Sequence, residues 1–205
     1  MYDFESGDLS LDFANTMDWH GSPSPVEKLK DFSDLVSWGE AAGLLTPENS
    51  RTLLQQATDH PQESSQSLST AIRLRDAVYR IFSHRYAGMP VPEDDLSLLN
   101  SVIRQALAHL QLKPDGGEFH WEWASGMDGV NLILWPVARA ASILLTSDQA
   151  HLVRECEDDR GCGYLFIDQT KNHSRRWCSM ESCGNRAKAR RHYSRIQQTE
   201  TNQPN

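Results

Sequence analysis

The chain is short of cysteine and of long apolar runs, and each shortage excludes something. Its 205 residues hold four cysteines, none of them before Cys156. A disulfide framework spread through the fold is therefore excluded. The longest apolar stretch, VNLILWPVARAASILLT, has 17 residues and is broken by Pro136 and Arg139, which is too short and too interrupted to span a bilayer. The opening MYDFESGDLSLDF has neither a basic nor an apolar segment and does not read as a signal peptide. No glycine-rich phosphate loop, nucleophile elbow or paired metal-binding histidines stand in the sequence, so an enzyme is not expected and no catalytic residue is assigned. The expectation is a cytoplasmic protein with no membrane partner. In that reducing compartment, clustered cysteines are more often metal ligands than disulfides.

What is present is divided by charge. Residues 1–170 carry 12 Lys+Arg against 26 Asp+Glu, a balance of −14, whereas residues 171–195 carry 8 Lys+Arg and one acid, Glu181, a balance of +7. An acidic body with a basic end points to a polyanion at that end. A solvated basic helix without a partner is the plainer alternative.

The first two thirds read as helical. SPVEKLKDFSDLVSWGEAAGLL begins with Ser24, Pro25 and Glu27 in a capping-box pattern, and TPENSRTLLQQA repeats the device with Thr46 and Pro47. DHPQESSQS reads as a polar bridge. After it, Leu68, Ala71, Ile72, Val78, Tyr79 and Phe82 mark the strongest helix, and EDDLSLLNSVIRQALAHLQL marks another. Phe119, Trp121 and Trp123 alternate with polar residues, and a Gly-Met-Asp-Gly turn at 126–129 predicts a β-hairpin with residues 130–135. PVARAASILL predicts a helix, and TSDQAHLVREC the start of another, capped by Thr146 or Ser147.

The four cysteines, Cys156, Cys162, Cys178 and Cys183, lie in a C-x5-C-x15-C-x4-C pattern. Two close pairs joined by a longer loop is the arrangement a four-thiolate zinc site needs. Four buried or free thiols is the alternative. His173 and His192 lie nearby, but with four cysteines available they read as surface or phosphate-facing groups. CGYLFIDQT alternates as a strand, HSRRWC suits the return strand, and GNRAKARRHYSRIQQ a helix. So small a unit has too little burial to hold itself together, so one structural Zn2+ would supply much of its folding free energy. On the helix, Arg186, Lys188, Arg190, Arg191 and Arg195 spread charge over a broad surface, and Arg175 and Arg176 add to it at the hairpin. Arginine suits bidentate contacts to phosphate and to guanine. These seven are the candidate DNA-binding residues.

These residues carry a family resemblance. Cys183-Gly184-Asn185-Arg186, with Trp177-Cys178-Ser179-Met180 and Lys188, resembles the CGNR zinc finger. Upstream, LDFANT (11–16) and LRDAVYRIF (74–82) resemble the ABATE domain that precedes this finger in bacterial stress-induced transcription regulators. The resemblance implies zinc on the four cysteines and DNA binding. One departure stands out: the first pair is spaced by five residues where four are expected, which could displace Cys156.

The expected fold is mainly α with a β-hairpin, a multihelical N-terminal domain followed by a small four-cysteine zinc-binding ββα-like module. The expected domains are an ABATE-like body (1–152), the finger (153–196) and a disordered tail (197–205). Asp12, Asn15 and His20, in LDFANTMDWH, read either as an effector site or as a structural turn. Trp121, Trp123 and Trp135 read either as pocket lining or as hairpin packing. The leading function is a zinc-dependent, stress-related, DNA-binding transcription regulator near the nucleoid, with a small-molecule effector and a homodimer as further partners. The alternative is an adaptor whose basic module docks on an acidic partner or on its own acidic body.

Overall fold

The computed structural model describes residues 2–124 and 129–201, with the backbone alone for 195–201. A short buried helix, α1 (Leu9–Ala14), is capped by Asp8, whose side chain accepts the Ser10 N–H. A minimal ribbon of β1 (Met17–Asp18) and β2 (Val26–Glu27) follows, then α2 (Phe32–Ala41), α3 (Pro47–Asp59), α4 (Pro61–Tyr86) and α5 (Glu93–Ala108). A hairpin of β3 (Leu110–Asp115) and β4 (Glu118–Trp123) leads to α6 (Asn131–Thr146). A 3-10 turn (Asp148–Leu152), β5 (Val153–Glu155), β6 (Leu165–Ile167), a π-helical turn (Met180–Gly184) and α7 (Asn185–Thr201) complete the chain. Among the described residues no helix is long and apolar enough to cross a membrane.

The body is organised around α4, a 26-residue helix. Ala71, Leu74, Ala77, Val78, Ile81 and Phe82 form its buried stripe, and α1, α2, α5 and α6 pack around it. Burying each of the larger side chains contributes on the order of 1.5–3 kcal/mol. Arg75 lies in the same stripe, fully buried, with Nη1 2.5 Å from Glu27 Oε1 and Nη2 2.9 Å from Asp76 Oδ1. A buried charge needs such partners.

Several local expectations are corrected. The helix expected from Pro25 starts at Phe32, because Asp31 and Asp34 form the reciprocal capping box while residues 26–27 pair as a strand. Glu27 is not a cap; its carboxylate holds Arg75 and accepts the Leu29 N–H. Thr46 does cap α3, with Asn49 completing the box. The polar bridge is helical but for His60: Asp59 ends α3 and residues 61–67 open α4, since Pro61 suits a first helical position and no glycine follows until Gly88. The hairpin partner of β4 is β3, joined at Gly116–Gly117, both at positive φ, and residues 131–135 open α6 instead. Gly126, Met127 and Asp128 of the expected turn lie outside the described residues. Ser147 caps a 3-10 turn, and β5 follows it where a helix was expected. The segment 197–201 continues α7, where a disordered tail was expected; residues 202–205 lie outside the described residues.

Trp123 and Trp135 pack as hairpin and core, 6.2 Å between ring centroids, and Trp135 stacks on His109. Trp121 stays 54% exposed and joins neither.

Candidate metal centre

β5 and β6 pair antiparallel, with Arg154 opposite Phe166, and separate two apolar environments. Val153, Leu165 and Ile167 face the core of the body; Phe166 faces the other way, onto the cysteines. This is the alternation expected of CGYLFIDQT. The pairing differs from expectation, however: β6 returns from β5, so Cys156 and Cys162 both stand in the connection between these two strands. HSRRWC is irregular, not a return strand. Its path is fixed by buried Asp168, which accepts the N–H groups of Thr170 and Arg175. The second cysteine pair comes from the end of that segment and from the π-helical turn, where Ser179 accepts the Ser182 N–H.

The sulfurs of Cys156, Cys162, Cys178 and Cys183 all lie within 4.8 Å of one another. Cys162 and Cys178 are 3.8 Å apart, and Cys178 and Cys183 3.6 Å. In a tetrahedral zinc–thiolate site with bonds of about 2.3 Å, neighbouring sulfurs stand about 3.8 Å apart. The donor set therefore fits such an ion, and the five-residue spacer does not displace Cys156. Thiol hydrogen bonds from Cys162 and Cys178 lower the pKa of Cys156, the same sharing raises Cys162 and Cys178, and burial raises Cys183. Four crowded sulfurs thus resist full ionisation unless a cation joins them. No histidine belongs to the cluster among the described residues; the His173 ring bonds the Asp168 carbonyl.

The cations divide into two groups. The Arg175 guanidinium donates to the Trp177 and Cys178 carbonyls and lies 4.4 Å from the Phe166 ring centroid. Arg186 donates to Cys183 Sγ at 2.8 Å and to Asp158 Oδ2 at 3.1 Å. Arg190 bonds Asp158 Oδ1 and pairs with Asp159, and Arg176 pairs with Glu157 at 2.6 Å. Lys188 and Arg191 are exposed, with no acid within ion-pair distance among the described residues. Arg195 is placed on α7, its side chain outside the described set. At the centre is Asp158, 3% exposed. Burial alone would raise its pKa, but hydrogen bonds from the Arg160 N–H, Arg190, Cys183 and Arg186 hold it well below the usual carboxylate range. Asp158 escaped the sequence reading; its signal was an acidic run, EDD, inside the spacer of a basic module.

The CGNR motif is explained by this geometry. Cys183 supplies a sulfur. Gly184 is buried where a Cβ would meet Met180 Sδ at 2.8 Å, Asn185 donates to the Glu181 carbonyl, and Arg186 bridges Cys183 to Asp158.

Residues of LDFANTMDWH, expected either as an effector site or as a structural turn, make contacts within the body and along the knuckle. Asn15 donates to the Leu165 carbonyl and accepts the Leu165 N–H, both at 2.9 Å, so it acts as an added strand partner for β6. Asp12, whose pKa burial raises, accepts the Ser6 N–H. His20 stacks on Tyr79, 3.5 Å between centroids, bonds the Ala14 carbonyl, and is held neutral by burial, its pKa lowered to about 4. The Gly21 N–H donates to the Gly161 carbonyl. From α4, Tyr79 and Ser83 both donate to Glu155, next to Cys156. Sequence reasoning missed the part played by Tyr79 and Ser83 because their contacts with Glu155 cross more than 70 residues.

A family model described as "Putative stress-induced transcription regulator", the ABATE model, matches residues 7–148. The CGNR zinc finger model matches residues 153–196. Both describe regulatory or zinc-finger domains, not catalytic ones. No curated protein matches the chain.

Proposed function

The chain belongs to the ABATE family and ends in a CGNR zinc finger, and on that basis we propose that it is a zinc-dependent, DNA-binding transcription regulator. The observation that carries this reading is one juxtaposition: four convergent sulfurs at the base of a helix bearing exposed cations. In this reading one structural Zn2+ is held by Cys156, Cys162, Cys178 and Cys183. The ion's role is to clamp the β5–β6 connection to the start of α7. Lys188, Arg191 and Arg195 meet phosphates first, while Arg176 and Arg190 are shared between phosphate and the acids Glu157 and Asp159. Arg175 and Arg186 serve by positioning. The body, residues 1–152, holds the knuckle and its charge keeps DNA contact local to residues 153–196.

The test is selection of genomic DNA fragments by the zinc-loaded protein, with a Cys178→Ser variant as control. Enrichment of a shared sequence, absent with the variant, is the expected result. Equal retention by both proteins, with no common sequence, would sink it. The ion pairs of Arg176 and Arg190 with acids of the same chain favour one second reading, an adaptor whose basic helix docks on acidic protein surface. That reading predicts no enriched sequence and capture by acidic peptides.

A further inference from the structure

The β1–β2 ribbon is fastened to α4 at two points one helical turn apart. Glu27 binds Arg75, and the His20 ring stacks on Tyr79 with 3.5 Å between centroids. Beside these anchors lies a cavity of about 260 Å³, open to solvent. Met17, His20 and Pro25 line it from the ribbon side, and Asp76, Tyr79 and Arg80 from α4. Asp12 and Asn15 are taken up by Ser6 and Leu165, whereas His20 borders this cavity.

The polar groups here have acceptors to spare and no unpaired cation. His20 Nε2 bonds the Ala14 carbonyl, so it carries the ring proton and leaves Nδ1 as a lone-pair acceptor. Burial keeps that ring neutral. Asp76 gives Oδ1 to Arg75, and among the described residues no hydrogen bond reaches Oδ2. The Tyr79 hydroxyl donates to Glu155, and Arg80 is held by both oxygens of Asp95. Asp18, Glu27, Asp76 and Asp95 set four carboxylates against the three cations Lys28, Arg75 and Arg80. An anion would therefore meet surplus negative charge. A cationic N–H donor meets two acceptors, with Met17 and Pro25 to cover a short apolar chain. The volume falls just below the roughly 300–1,000 Å³ of pockets for drug-sized molecules, so the ligand is small. We propose that this cavity is an effector site for a small primary amine, bound as its ammonium ion between His20 and Asp76.

Its walls reach the metal centre. A Cβ on Gly163 would lie 2.8 Å from the Tyr79 hydroxyl and 2.9 Å from His20 Cβ, so the residue after Cys162 rests on the stacked pair. Tyr79 also holds Glu155, the residue before Cys156. An ammonium ion joining His20 to Asp76 ties the ribbon to α4 and steadies the wall against which both cysteines stand. Amine binding thus tightens zinc binding, and zinc tightens amine binding by the same factor.

Nucleic-acid binding plays no part in this site, and failure of the DNA selection would leave it standing. The test is titration of the full-length, zinc-loaded chain with n-butylammonium chloride at constant ionic strength, followed by backbone amide NMR shifts. Butanol and sodium butyrate serve as controls. Saturable shifts in the millimolar range, centred on Met17, His20 and Tyr79, are expected for the ammonium ion alone. Asp76→Asn should weaken binding by about fivefold or more. Pro25→Trp, at an exposed position, fills the cavity without touching the Glu27–Arg75 pair and should abolish binding. Saturating butylammonium should raise zinc affinity, read by competition with a chromogenic chelator, by about threefold in the wild type and not in Pro25→Trp. Absence of saturable shifts, equal shifts with butanol or butyrate, or wild-type binding by both variants overturns the site. Unchanged zinc affinity with the amine bound overturns the coupling.

Discussion

The indole of Trp19, in the acidic body, has the guanidinium of Arg186, in the basic helix, 5.5 Å from its centroid. Arg160, from the knuckle between them, stands 5.1 Å from the same ring. Trp19 adopts φ +60, a conformation that a bulky residue takes only where its surroundings impose it. Such cation–π contacts are worth about 0.5–2 kcal/mol each. Body and finger are therefore coupled through a shared wall, with Val153, Leu165 and Ile167 buried in the body's own core.

That coupling makes glycine indispensable at the seam. Gly161 has φ +84, and a Cβ on it would lie 2.3 Å from the Gly21 carbonyl carbon. Backbone meets backbone there, so no side chain can rotate away. Gly161→Ala should therefore separate the knuckle from the body and speed zinc release to a chromogenic chelator by more than tenfold. Gly43→Ala, also at positive φ but with open space around it, should leave release unchanged. Equal effects of the two would mean that the seam plays no part in holding the ion.

Asn15 distinguishes architecture from effector binding. Its amide exchanges two hydrogen bonds with Leu165 at a fully buried position. Asn15→Asp keeps the shape but replaces the donor with a carboxylate facing the Leu165 carbonyl. A loss of about 2–4 kcal/mol in urea unfolding is expected, as for a buried polar group left unpaired. An effector site would show the opposite pattern, with unfolding unchanged and ligand response lost.

Some of this was legible in the sequence and some was not, for physical reasons. The cysteine spacing, the α4 stripe and the Thr46–Pro47 cap are local patterns, and each has its structural counterpart. The β-hairpin was legible in kind but misplaced. Asp115-Gly116-Gly117 sat between two alternating runs, yet the apolar 130–135 stretch competed as a strand, because a short buried run has no period that separates helix from strand. What stayed hidden is long-range pairing of charge. Glu27 imitates a helix cap until Arg75, 48 residues on, is seen to need it. Arg186 and Arg190 imitate free DNA contacts until Asp158 is seen beneath them.

His20 gives the chain an acid sensitivity of definite sign. Burial lowers its folded pKa to about 4, below the ordinary value of 6.5. Between those values the unfolded chain binds the proton that the folded one refuses, so stability falls as pH drops through that window and levels off below it. The full contribution is at most about 3 kcal/mol, reduced by what water reaches the ring. His20→Gln can still donate to the Ala14 carbonyl but does not titrate. Melting curves at pH 7.5 and 5 should therefore differ less for this variant than for the wild type. Equal differences would place the acid response on other groups, the thiolates first.

The division of cations gives predictions of opposite sign. Arg191 is exposed, and its guanidinium lies 5.7 Å from the Trp177 ring with no acid paired to it among the described residues. Arg191→Ala should change stability by no more than about 0.5 kcal/mol. It should weaken DNA binding and flatten the log–log salt slope by about one. Arg186→Ala removes the partner of both Cys183 and Asp158, so its first effect should be on melting temperature and zinc retention. Asp159 is 68% exposed and competes with phosphate for Arg190. Asp159→Asn should tighten DNA binding and steepen the slope, since it removes an exposed negative charge that competes with phosphate for Arg190 while the Arg190 contact with buried Asp158 stays in place. Fluorescence anisotropy across a salt series reads all three. A slope untouched by Arg191→Ala and an affinity untouched by Asp159→Asn would together remove the Arg190–Arg191 surface of α7 from the nucleic-acid interface, because phosphate bound there would feel both charges.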